Sequence, residues 1–449
     1  MSHATRTPIG YGQAGRRIAA AAAAMSVLMA VGGCKVEKPL SCPPCPAGTA
    51  CTASSGICEE IALEPFDDFI PGRAVRIAPE GSRIALAVIE PQTGALLVGT
   101  ATPSSRAFHT LHRFGRPAGK RIALASSPRT VAVAWLDEGG VYQIATRAAR
   151  GANDHWEATL IALSEQDTAL EYSGSEEFDL TIDAREHVHL VFHDSRLRAL
   201  RRLSRADGAR RWQLETVDDA SSQQSQLVCS AERRLAARLG VGIEPTVRGR
   251  GEDLYVAYHD ADCGDLRLAR RVDKEWVVSV VDTGDADVEA VRLHERGVVG
   301  RFPSLAFDEA GRIAVAYHDV SRGRVMYASA REGQFKREVA DPGFELDEFS
   351  QQQKQLVGAF TRLVFDDSGT PRLAYMNATR THLRGAHRLA EANGSGRWLQ
   401  RTLDAQGPVG FFADQIYDAS IGHIVAAERL VPTAQGLSSR LVLIWDGKQ

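Results

Sequence analysis

Residues 299–341 read VGRFPSLAFDEAGRIAVAYHDVSRGRVMYASAREGQFKREVAD. Four short apolar runs alternate here with turn residues, which predicts strands over 304–307, 312–318, 324–330 and 335–339. Between the first two, Asp308-Glu309-Ala310-Gly311 has the chemistry of a tight hairpin: the aspartate opens the turn and the glycine takes a positive φ. The second run is bulky on one side (Ile313, Val315, Tyr317) and small on the other (Ala314, Ala316). Neither side is polar until the strand ends, as a sheet covered on both faces requires.

The stretch is one copy of a repeat. Its Val-Gly opening recurs at Gly242, Gly300, Gly358 and Gly410, at intervals of 58, 58 and 52 residues. The second run recurs as IALAVIE ending at Glu90, VAVAWLD at Asp137, VHLVFHD at Asp194, LYVAYHD at Asp260, IAVAYHD at Asp319 and PRLAYMN at Asn377. A looser copy, HIVAAE, ends at Glu428. Seven copies predict an all-β, seven-bladed β-propeller of four-stranded antiparallel blades; six or eight blades are the alternatives if the first and last units are misread. The fourth run carries an aromatic near its start (Trp156, Trp212, Trp276, Phe335, Trp398), read as outer-blade core. The last unit stops after its third run, and 59–70 is left over before the first. The segment 61–66 is therefore expected to supply the missing outer strand and close the ring.

Three segments follow: 1–33, 34–58 and 59–449. The first reads as an export signal, with Arg16 and Arg17 before an apolar stretch too short to span a membrane comfortably. It ends Ala30-Val31-Gly32-Gly33-Cys34, which resembles a bacterial lipobox; Cys34 would be acylated and become the mature N-terminus. Lys35 after it leans towards the outer rather than the inner membrane. Of seven cysteines, Cys42, Cys45, Cys51 and Cys58 crowd the second segment without zinc-ribbon spacing or a histidine. In an oxidising compartment they are expected to form two disulfides, with three pairings open. Cys229 and Cys263 are expected to pair, since a long insertion and a two-to-three turn share one face. Formal net charge is −3 and no long basic tract occurs, which argues against nucleic acid as a partner.

The repeat resembles the sialidase-like, or BNR-type, propellers common in exported bacterial proteins, myxobacterial ones especially. The likeness covers roughly 72–449 and implies the scaffold rather than the chemistry. The Asp-x-x-Gly turns sit between strands one and two, not three and four, and Arg301-Phe302-Pro303 only echoes the sialidase Arg-Ile-Pro signature.

Up-and-down strand order puts the two-to-three turns and the blade connections on one face, with the long insertions at 165–177, 218–240, 282–299 and 341–357. Binding is expected there. The same face carries the acids that end strand two, with His193, His259 and His318 beside three of them. Asp137, Asp194, His259, Asp260, His318 and Asp319 are the candidate ligand or cation residues, calcium being the cation in view. The competing reading, favoured by their recurrence, is that each aspartate caps its own turn. His187 and His189 share a strand face, with no third ligand evident in the sequence. No nucleophile elbow, HExxH motif or phosphate loop occurs, so no catalytic residue is assigned. The expectation is a monomeric, lipid-anchored binding or scaffold protein holding a protein or glycan. A glycan-active hydrolase or lyase and a purely structural lipoprotein are the alternatives.

Overall fold

The computed structural model describes residues 73–446 apart from short internal segments, the longest being 161–174, 220–238 and 285–296. It also describes short strands at 49–51, 58–60 and 62–63. The expected signal, Cys34, Cys42, Cys45, Cys229 and most of three of the four long insertions lie outside the described residues.

Seven antiparallel four-stranded sheets occupy 73–113, 117–160, 178–219, 241–282, 301–341, 357–404 and 409–446, here blades one to seven. In the first six the strands follow chain order. Blade five is Arg301–Phe307, Ile313–Asp319, Arg324–Arg331 and Gln334–Asp341. Blade seven has three strands of its own, and its fourth place is taken by Ala62–Leu63, paired as Ala62↔Ile444 and Leu63↔Leu443. The first strand of each blade packs on the first strands of both neighbours, and Val409–Asp418 returns to Arg73–Glu80. All described blades are thus part of one closed ring, with first strands innermost.

The core sits between blades. Seven apolar clusters are each built from two adjacent blades; Ile77 and Leu86 of blade one meet Ile424 and Leu443 of blade seven in one of them. This is why second strands lack a polar face: all of Val188–Asp194 is buried. The recurrent tyrosine and aspartate join blades as well. Tyr258, Tyr317 and Tyr375 donate to Asp218, Asp282 and Asp341 of the preceding blade at 2.5–2.6 Å. Trp212 is fully buried, while Trp276 and Trp398 also donate to Glu215 and Glu338 of the preceding blades. The Val-Gly opening has a steric cause. Gly300 has φ 84°, and a Cβ there would lie 2.8 Å from the backbone of Leu266 in the preceding blade.

Candidate functional site: the channel mouth

The acids that end strand two stand on the insertion-bearing face, and their carboxylates are engaged there. Asp137 accepts from the backbone N–H groups of Gly139 and Val141, Asp194 from those of Arg196 and Leu197, and Asp260 from those of Asp262 and Cys263. Asp319 accepts from the N–H of Arg322, and Asn377 from those of Thr379 and Arg380. The second oxygen of Asp194, Asp260 and Asp319 meets Arg201, Arg267 and Arg324 at 3.3, 2.5 and 2.9 Å. These groups hold hairpins, and the glycan-enzyme reading loses them as free acids. Cys263 is disulfide-bonded. His193 and His259 donate from Nδ1 to the carbonyls of Val241 and Val299 in the next blade, both at 2.8 Å.

The convergent side chains come from the first strands instead. In six blades the pairing of strands one and two slips near the channel mouth, the signature of a bulge. In five of these the bulge holds a non-glycine residue in the left-handed region: Ala74 (φ 62°), Glu244 (50°), Phe302 (48°), Phe360 (57°) and Phe412 (51°). Each such residue costs roughly 1–2 kcal/mol that glycine would not. Strain of this kind persists where the surrounding structure imposes it, at the buried Ala74 as at the mouth residues.

Around the mouth these residues divide into two arcs. Phe302, Phe360 and Phe412, from consecutive blades and all part-exposed, form an aromatic arc with ring centroids 5.1 and 5.0 Å apart. The other arc is charged. Arg121 pairs with Glu177 at 2.6 Å, and Glu177 also accepts from the Glu244 N–H at 3.0 Å. Glu244 is held by Nε and Nη2 of Arg301 (3.0 and 2.6 Å) and by the Phe302 N–H at 2.5 Å.

Electrostatics separate the two glutamates. Burial pushes the Glu177 carboxyl above its ordinary range; Arg121 opposes this and Glu244 adds to it. Burial acts on Glu244 too, but Arg301 overcomes it and holds that carboxyl at about 2. His318 stands behind Phe302, its ring stacked at 6.3 Å. Both its nitrogens are buried without a partner among the described residues, and burial lowers its pKa to about 4. It is a neutral imidazole at neutral pH.

Below the mouth the axial channel holds a cavity of about 410 Å³, lined by all seven first strands. Its charged lining is Arg76, Arg121, Arg248 and Arg362 against Asp179 and Asp414. Asp179 accepts from the Val247 N–H and Asp414 from the Ile77 N–H, stitching neighbouring blades at 3.0 Å. Arg248 meets Asp179 at 3.3 Å and Arg362 meets Asp414 at 3.1 Å. Arg76 has no carboxylate partner among the described residues; it donates to the Val75 carbonyl at 2.8 Å. Burial, with Arg362 nearby, lowers its pKa to about 9. The cavity is therefore net cationic and suits an anionic group.

Sequence reasoning placed function on this face but missed Glu177, Glu244 and the phenylalanine arc. The signal was available: the second residue after each repeated glycine (Gly242, Gly300, Gly358, Gly410) is Glu244, Phe302, Phe360 and Phe412.

No family model and no curated protein matches the chain. Solved structures do. A protein from Lactobacillus plantarum aligns with TM-score 0.50 and 14% identity over 81% of this chain and 96% of that one. The polysaccharide lyase Uly1 aligns with TM-score 0.49 and 9% identity, over 85% and 91%. AofleA from Arthrobotrys oligospora aligns with TM-score 0.45 and 10% identity, over 75% and 88%. At 14% identity the likeness to the Lactobacillus plantarum protein is one of fold alone, and the propeller itself is read from the seven sheets.

Proposed function

We propose that the protein is a binding lipoprotein of the bacterial envelope, anchored through a lipid on Cys34, on the outer rather than the inner membrane. It holds a glycan at the channel mouth. The observation that carries this reading is the arc of Phe302, Phe360 and Phe412, kept at left-handed positions where glycine would cost less. Part-exposed rings in sequence offer stacking faces to a saccharide, and the arginines below them take its carboxylate or sulfate substituents. Calorimetric titration with acidic and with neutral oligosaccharides tests it. Acidic chains should bind more tightly, and Phe360→Ala should weaken binding at least tenfold with little change in melting temperature. Equal affinity of wild type and variant would sink the reading. A protein ligand is the other occupant of this face; it is supported by the exposed Phe344, Leu346, Phe349 and Leu356 in and beside the 341–357 insertion. Photo-crosslinking from position 349 reports it.

A second reading, a glycan-active hydrolase or lyase, rests on Glu177 and Glu244, adjacent carboxyls whose proton affinities are driven apart. It requires turnover of a bound oligosaccharide that Glu177→Gln abolishes while binding persists.

A further inference from the structure

We propose that Asp183, His187 and His189 of blade three form a binding site for a divalent transition metal of the zinc type. The three lie at the hairpin between strands one and two, on the face opposite the insertions. They are independent of the channel mouth.

The argument begins with the sister hairpins. In blade five, Asp308 accepts from the Arg312 N–H at 2.8 Å, and its second oxygen is taken by the Arg312 side chain at 2.6 Å. In blade six, Asp366 accepts from the Thr370 N–H at 3.0 Å, and its second oxygen is taken by Arg372 at 2.8 Å. Asp183 keeps the turn, accepting from the N–H groups of Arg185 and His187 at 2.9 and 2.8 Å. The arginine positions of both sisters, four and six residues after the aspartate, are here His187 and His189. A part shared by sister hairpins serves the fold. This departure replaces the guanidinium that pairs with the carboxylate by two imidazoles, which are ready metal ligands.

The geometry fits an ion. Asp183 Oδ2 lies 3.0 Å from His189 Nε2 and 3.4 Å from His187 Nδ1. Ligand atoms of all three residues lie within 4.8 Å of one another. Around a tetrahedral zinc with bonds of 2.0–2.1 Å, neighbouring ligand atoms are about 3.3 Å apart. The Asp183 and His189 side chains are 6% and 4% exposed, whereas His187 is 32% exposed, so solvent can reach a fourth position. Two imidazoles and one carboxylate select zinc-like ions over calcium or magnesium, which prefer oxygen. Arg202, the nearby cation, is held by Glu215 at 3.0 Å. His189 Nδ1 is buried with no hydrogen-bond partner among the described residues, so none of these supplies the acceptor that strengthens imidazole ligation.

The test is titration of chelator-treated full-length protein with zinc chloride, followed by calorimetry and by metal analysis after dialysis. One zinc per chain is expected, with a rise in melting temperature. His187→Ala should weaken binding at least tenfold and leave the metal-free melting temperature near wild type. His187→Arg restores the blade-five arrangement and should abolish binding in a folded protein. Calcium chloride should produce neither effect. Absence of stoichiometric zinc overturns the proposal, as does zinc binding that both His187 variants leave unchanged.

Discussion

Phe360 shows what a single residue contributes. Its ring is part-exposed, and its backbone sits at φ 57°. Phe360→Gly should relieve about 1 kcal/mol of strain, which offsets the lost burial and leaves stability within about 1 kcal/mol of wild type. Ligand binding should fall with it; urea unfolding and calorimetry on the same sample separate the two effects. His259 and His318 make a second case at this scale. Burial lowers both pKa values to about 4. Above pH 6.5 these rings are neutral in folded and unfolded chains alike, so their contribution is complete. As the pH falls below 6.5 the unfolded chain takes up protons first, and stability is lost until about pH 4. The loss is up to about 3 kcal/mol per ring. Glu177, with its raised carboxyl, acts in the opposite sense on acidification. Urea midpoints at pH 7.5 and 4.5 should differ by less in His318→Gln than in wild type.

At the scale of elements, the joint between blades is testable at Tyr317. Its hydroxyl donates to Asp282, a buried carboxylate whose other oxygen accepts from Arg337 and the Gly284 N–H. Tyr317→Phe should cost about 1–2 kcal/mol, read by urea denaturation, because it strips one donor from that carboxylate and fills the same space. Elements were the part of the structure that the sequence displayed best. Second strands such as Ile313–Asp319 are apolar on both faces up to Tyr317 because a neighbouring blade covers each face. The turn aspartates were equally readable, since Asp308 and Asp366 stand before glycine in the same place. The mouth was harder to read. A bulge puts Glu244 and Phe302 at one structural position although one is an acid and the other an aromatic. Alternation also fails there, so residue type and strand period leave the site unmarked, and only its offset from the repeated glycine shows it. Asp183 was hidden for a different reason. It reads as one more turn aspartate, and only its distances to His187 and His189 give it a second role.

For the whole molecule, the ring is the unit of stability, since each apolar cluster needs two blades. Leu86→Ala, at the interface that joins blade one to blade seven, should cost about 2–5 kcal/mol in urea denaturation. The closing strand Ala62–Leu63 adds a requirement of timing. Its partners Ile444 and Leu443 lie about 380 residues further along the chain, so the seam cannot form until the chain has been made as far as Ile444. Bringing ends so far apart together costs about 5 kcal/mol of chain entropy if nothing else is folded, and far less once six blades have stacked. The last step of folding is then a docking of these two distant segments, and until it occurs the third strand of blade seven presents an unpaired edge to any neighbouring copy. Refolding yield should therefore fall with protein concentration more steeply than equilibrium stability would suggest, and a chain lacking residues 59–66 should carry that sensitivity permanently.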